Sequence, residues 1–410
     1  MQSAASVTTA DLMDPDRFVA RGYPHEAWAV LRREAPVKWF AFEGARPGFW
    51  AITKRADIVA LSKEPEKFRI EPRTAVFAES PPSSERTLET RHLLTMDPPD
   101  HAVYRKLASA WFTPRAIEQR RPEIEKLARE LLDALPRENE FDFVVDFAAP
   151  LTLSVLADML GVPRDDWQRL FDWTNRLIGF SDPEFQQGQP KLSDERAARE
   201  LFAYFAELAA ERVARPTGDL TSVLASARVG GAPLPANDLL SYYQLLVAAG
   251  NETTRNAASG GLMALIDHPE EFSKLRANPG LVNHAVEEIV RWTTPVIQFC
   301  RTPIADFELR GQRIRGGESM CLFYASANRD EEAFPDPEKF RVDRNPNPHL
   351  GFGIGEHFCL GASLARLELR VIFAELAKRF AHFEYAAPPA RMRSSFIGGV
   401  KRMRVRYRQA

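Results

Sequence analysis

The sequence predicts a mainly α-helical fold with small β-sheets to one side, an α+β arrangement, on three observations. From residue 100 to about 277, apolar residues recur at three- and four-residue spacing almost without interruption. Within that stretch, residues 236–266 are more apolar than their surroundings and free of proline, which predicts a long buried central helix. On either side lie short β-like runs bounded by Gly and Pro.

Taken in order, residues 37–42 and 49–52 flank the glycines at 44 and 48 and predict a hairpin. Helical periodicity then marks residues 115–135, 165–178 and 194–213. Residue Thr253 inside the central helix can bond back to the carbonyl one turn earlier, which predicts a loosened or kinked helix near Gly250. After Arg291 come β-like runs at 295–299, 307–309 and 319–323. An irregular Pro/Asp/Asn-rich stretch at 328–349, an amphipathic helix at 360–379 and a β-like tail complete the chain. No repeat or linker divides it, so one domain is expected over 1–410: a β-containing part to about 99, a helical part over 100–291, and a β and cysteine-loop part over 292–410.

Composition narrows the function classes. Hydrophobic residues at 45% and charged residues at 27% exclude a disordered or collagen-like chain. Lys and Arg total 54 against 56 Asp and Glu, so no nucleic acid partner is expected. Three cysteines (Cys300, Cys321, Cys359) are too few for a disulfide framework, which points to the cytoplasm. Residues 1–18 carry neither the basic nor the apolar region of an export signal. No uninterrupted apolar run approaches the roughly 18 residues of a spanning helix, so no membrane anchor is expected.

The chemistry concentrates in Phe352-Gly-Ile-Gly-Glu-His-Phe-Cys359-Leu-Gly361, a cysteine at the mouth of an apolar helix after a Gly-rich loop. Unpaired N–H groups at a helix N-terminus favour charge on sulfur, which predicts a stabilised thiolate. Glycines let such a loop press against a flat ligand. A dinucleotide GxGxxG fingerprint is excluded because Phe358 stands at the third glycine position.

This loop resembles the cysteine-ligand loop of the cytochrome P-450 superfamily, the haem-thiolate monooxygenases, and motifs over most of the chain agree with it. The resemblance implies haem b (iron protoporphyrin IX) with Cys359 as its axial iron ligand. Ala249-Gly-Asn-Glu252-Thr253-Thr254 resembles the family's acid–alcohol pair, which supplies protons for oxygen activation, with Glu252 where Asp is commoner. Glu288, Arg291 and Arg344 match a buried structural network that locks the cysteine loop. His101, Arg105, Arg301 and His357 match positions that bind the haem propionates, for which forked cationic donors are suited.

The resemblance also maps an apolar pocket onto Leu93, Leu94, Phe180 and Phe185, onto Leu246 and Ala249 of the central helix, and onto the later segments. Those supply Val296, Ile297, Phe299, Phe396 and Ile397, with Gln298 as a polar contact. A terpenoid, steroid or lipid-like substrate is implied. No stretch of chain remains for a flavin or iron–sulfur domain. Electrons from reduced nicotinamide must therefore arrive through a ferredoxin or flavodoxin with its reductase. Lys106, Arg115, Arg120, Arg121 and Arg366 offer a basic docking patch on a monomer. The expected activity is insertion of one oxygen atom of O2 into a C–H bond. A haem-thiolate sensor without turnover and a peroxide-driven peroxygenase of the same fold are the alternatives, both less suited to an intact proton relay.

Overall fold

A computed structural model describes residues 3–44, 46–77, 90–136, 139–186 and 193–410. The predicted hairpin forms from β1 (Val37–Phe40) and β2 (Phe49–Ile52), paired antiparallel, with position 45 of its turn outside the described residues. Its sheet is completed by chain far away in sequence. After β3 (Phe68–Arg69), the strands β4 (Gln298–Pro303) and β5 (Ser319–Phe323) enter, and the order is β1-β2-β5-β4-β3. The β2–β5 pair is parallel, which a local reading cannot supply because parallel neighbours need a long crossover. Strand β4 starts three residues later than expected and runs to Pro303. The segment Phe307–Leu309 pairs with Gln312–Ile314, which the sequence pattern did not reveal.

The helical third is interrupted by a three-residue strand, Glu140–Asp142, which joins Phe380–Tyr385 and Arg404–Gln409 in a second sheet. Three residues are too few to carry a periodicity; the partner strand creates this element. The expected helix over 115–135 is two, Pro114–Glu118 and Arg121–Asp133. Pro122 cannot donate to the Glu118 carbonyl, and its ring would crowd that oxygen.

Four helices position the site: α1 (Asp100–Ser109), α2 (Ala236–Asp267), α3 (Val282–Thr293) and α4 (Ala362–Arg379). Helix α2 spans roughly 48 Å at 1.5 Å per residue. It stops at His268 because Pro269 opens the next helix. It stays helical through Gly250, and the expected back-bond of Thr253 to the Ala249 carbonyl is present at 2.9 Å; the largest apolar core surrounds it. By length and composition, Phe143–Leu160 could cross a membrane. It is 78% buried, and its Ala149–Leu160 helix packs on α2.

Candidate active site

The cysteine loop owes its shape to two glycines. Gly353 (φ 68°) and Gly355 (φ 77°) occupy the left-handed region, which side chains rarely adopt. A Cβ at Gly355 would also lie 2.2 Å from the Ser62 carbonyl oxygen. The loop closes when the Cys359 N–H donates to the Phe352 carbonyl at 2.9 Å. Cys359 then opens onto a cavity of about 220 Å³, facing Ala249, Gly250 and Thr253 of α2. Burial pushes its thiol up, against the Gly361 N–H and the cations of Arg105 and Arg366, which pull it down. A coordinated cation would remove that proton outright, so the expected thiolate belongs to the metal-bound state.

Positive groups gather where α1, β4 and the loop meet. His101, Arg105, Arg301 and His357 all line the cavity. His101 Nδ1 lies 2.7 Å from Glu356 Oε1, and its ring centroid is 4.2 Å from that of His357. Arg105 Nη2 donates to the Phe358 carbonyl at 2.6 Å and Arg301 Nη1 to that of Cys300 at 2.8 Å, leaving further donors on each. Burial, then the neighbouring Arg301, His101 and Arg105, hold His357 down at about 2, and its Nε2 has no partner among the described residues. Glu356 is the carboxylate seen against this cluster, and it meets His101 alone, so Arg105 and Arg301 keep donors for further anions. An apolar cavity lined by a thiol, by the small residues Ala249, Gly250 and Thr253 and by anion-seeking groups fits a haem carrying two propionates.

On α2 the two predicted relay residues face different ways. Thr253 lines the cavity and donates its hydroxyl to the Ala249 carbonyl at 2.9 Å. Glu252 is buried, lines neither cavity, and is paired through Oε1 with the buried Arg255. Arg255 in turn reaches Asn175 Oδ1 at 3.2 Å. Burial raises the Glu252 carboxyl, Arg255 opposes that shift, and Oε2 is left without a partner.

Below the loop, Glu288 accepts from Arg291, Arg344, the Arg341 N–H and Asn347. The sequence pattern missed its neighbour. Adjacent helical residues diverge, so Glu287 points to the loop, where it accepts from Arg366 at 2.7 and 2.8 Å and meets His349 Nε2 at 3.0 Å. Arg366 covers the Phe352 ring, and His349 Nδ1 accepts the Gly351 N–H. The Glu-Glu doublet beside the recognised motif was the available signal.

A second cavity of about 330 Å³ adjoins the first, sharing Leu94, Leu245, Ala249, Thr253, Val296 and Phe299. Of the expected pocket residues, Phe180, Phe396 and Ile397 line this larger space, and Leu93 and Leu246 the smaller. Phe77, not anticipated, stands 5.0 Å from Phe180 and 5.3 Å from Phe396, making a continuous aromatic wall that reaches Phe299. Phe185 and Ile297 line neither cavity. Phe185 packs against Gly179, and Ile297 is a core residue whose N–H is tied to the Phe396 carbonyl. Gln298 straps the sheet through Val76 and Cys321 and is no pocket contact.

Comparison with known proteins agrees with this geometry. Residues 144–397 match the sequence model of the family described as Cytochrome P450. The chain is 36% identical to a steroid C26-monooxygenase of Rhodococcus jostii, covering 98% of this chain and 85% of that protein. It is 40% identical to a methyl-branched lipid omega-hydroxylase of Mycobacterium tuberculosis, covering 93% and 90%. A Mycobacterium marinum cytochrome P450 solved in complex with pseudoionone superposes with a TM-score of 0.90 at 39% identity, covering 98% of this chain and 100% of that one.

Proposed function

The chain belongs to the cytochrome P450 family, and from that premise we propose that Cys359 holds the haem iron in the smaller cavity while a hydrophobic small molecule is hydroxylated at the junction with the larger one. The protein is a monooxygenase that uses haem, O2 and electrons delivered from reduced nicotinamide through redox partners. One arrangement carries the residue-level reading: a thiol and Thr253 line one apolar cavity together with the guanidinium groups of Arg105 and Arg301.

Once bound, haem supplies the oxygen-activating chemistry, tuned by electron donation from a thiolate ligand. Arg105 and Arg301 would balance the charge of its propionates, with His101 and His357 as hydrogen-bonding neighbours. The Thr253 hydroxyl holds and orients a water at the junction of the cavities, where its bond to the Ala249 carbonyl now lies. Glu252 stores the proton at its unpartnered Oε2 and delivers it by turning from Arg255 toward Thr253. The aromatic wall excludes water and holds a terpenoid, steroid or lipid-like substrate mainly by burial, in keeping with the substrates named for the relatives. The whole chain, 1–410, serves as one haem-binding unit.

The electron donor is a ferredoxin or flavodoxin with its reductase, serving a cytoplasmic monomer. Arg120, Arg121 and Arg366 of the basic patch are engaged by Asp158, Glu118 and Glu287. Lys106 and Arg115 are exposed and have no ion-pair partner among the described residues, so they carry the attraction for an acidic donor.

Replacing Cys359 with His tests this reading. The parent's reduced carbon-monoxide complex shows the red-shifted band of a thiolate ligand, and the variant loses both band and hydroxylation. A retained band would assign the iron to another residue. Product formed with O2 and donor, and not with peroxide alone, distinguishes the monooxygenase from a peroxygenase.

A further inference from the structure

The larger cavity is not uniformly apolar. Two of its lining side chains hold buried polar atoms with no partner among the described residues, His92 Nδ1 and Gln244 Oε1. They belong to one corner. The Arg91 N–H donates to Ser241 Oγ at 3.1 Å, pinning this loop to α2 one turn before Gln244. The loop is tightened locally, since Thr95 Oγ1 accepts the His92 N–H and donates to the His92 carbonyl, both at 3.0 Å. Burial lowers His92 to about 4, against the pull of its own backbone carbonyl, so its ring is neutral at neutral pH and can take part as a donor or as an acceptor. A primary amide likewise offers both. Unsatisfied buried polar atoms are costly, and two of them on the lining of one chamber mark a place where a ligand completes them.

Building on the proposed hydroxylase reading, we propose that Gln244 and His92 are specificity-determining residues that hold an uncharged polar group, a hydroxyl, at the end of the substrate remote from the oxidised carbon. A hydroxyl can donate to one partner and accept from the other. The oxidised carbon lies beside Thr253, nine residues further along α2, or about 13 Å along the helix axis. At roughly 1.2 Å per bond of extended chain, the two ends of the substrate are separated by about eleven bonds. No Lys or Arg lines this chamber among the described residues, so an ionised carboxylate finds no cation there.

The test uses haem-loaded protein and three probes of equal length: dodecane, 1-dodecanol and dodecanoate. Their dissociation constants are read from the displacement of the haem absorption band. The parent should bind 1-dodecanol about 3- to 10-fold more tightly than dodecane, the worth of one or two neutral hydrogen bonds, and more tightly than dodecanoate. In Gln244→Leu that ratio of alcohol to alkane should fall to near one, and His92→Phe should reduce it. Haem content and the reduced carbon-monoxide band of each variant establish that it is folded. Equal affinity for alcohol and alkane in the parent would overturn the proposal, as would an undiminished ratio in folded Gln244→Leu. Loss of the carbon-monoxide band in the parent, or no response to any probe, would instead count against the hydroxylase reading on which it rests.

Discussion

Arg291 meets Glu288 at two points, Nε lying 2.7 Å from Oε2 and Nη2 2.8 Å from Oε1, with neither side chain exposed. Two arginines share this one carboxylate, because Arg344 Nε also reaches both its oxygens at 3.0 and 3.1 Å. The surplus positive charge is spread over backbone carbonyls. Arg291 donates to those of Asn328, Pro337 and Lys339, and Arg344 to those of Pro335, Asp336 and Lys339. The irregular stretch before the cysteine loop is thereby pinned to α3 by charge-assisted bonds in place of secondary structure.

Removing one partner strands buried charge. Glu288→Ala or Arg291→Ala should each destabilise the fold by roughly 3–5 kcal/mol and leave little haem-loaded protein. Chemical denaturation and the haem-to-protein absorbance ratio measure both. Parent-like values would show that the network does not support the loop.

Glu287 gives a pH signature. Burial raises its carboxyl, but Arg366 and His349 pull it further the other way, to about 2 from 4.5. A depressed folded value contributes stability that is present above about 4.5 and lost as pH falls toward about 2. Unfolding free energy in the parent should therefore drop across that window by on the order of 2 kcal/mol more than in Glu287→Gln. Parallel pH curves for the two proteins would remove Glu287 from the account of loop anchoring.

Thr253→Ala removes the hydroxyl that faces the slot while keeping a good helix former. Nicotinamide consumption should continue, product per electron should fall by about an order of magnitude or more, and hydrogen peroxide should rise. Thr253→Ser should restore much of the coupling. Unchanged coupling in the alanine variant would leave Thr253 as a helix-bending element only, with proton delivery passing through Thr254 or a substrate-bound water.

Glu252→Gln keeps the shape of the carboxyl and removes its proton. Consumption of nicotinamide should slow, and by more than peroxide rises, because the supply to Thr253 is interrupted at its source. A variant that is merely less stable, with unchanged consumption per haem, would make Glu252 a structural partner of Arg255.

The sequence by itself determined the parts whose signal is local. The glycines before Cys359, the adjacent Glu252 and Thr253, the three-residue spacing of Glu288 and Arg291 and the proline-free run of α2 all lie within one or two helical turns or one loop. Tertiary structure alone decided which way side chains point and which distant segments meet. Glu252 turns to Arg255 while Thr253 faces the slot, because successive helical residues diverge by about 100° and packing on neighbouring helices selects the face. Gln298 turns to Val76 and Phe299 to the cavity because strand β4 alternates its sides. Glu140–Asp142 is a strand only because Arg404–Gln409 lies beside it, and the loop before His92 meets α2 because Arg91 finds Ser241 and Asp238. Long-range pairing of this kind leaves no periodicity in the chain that makes it.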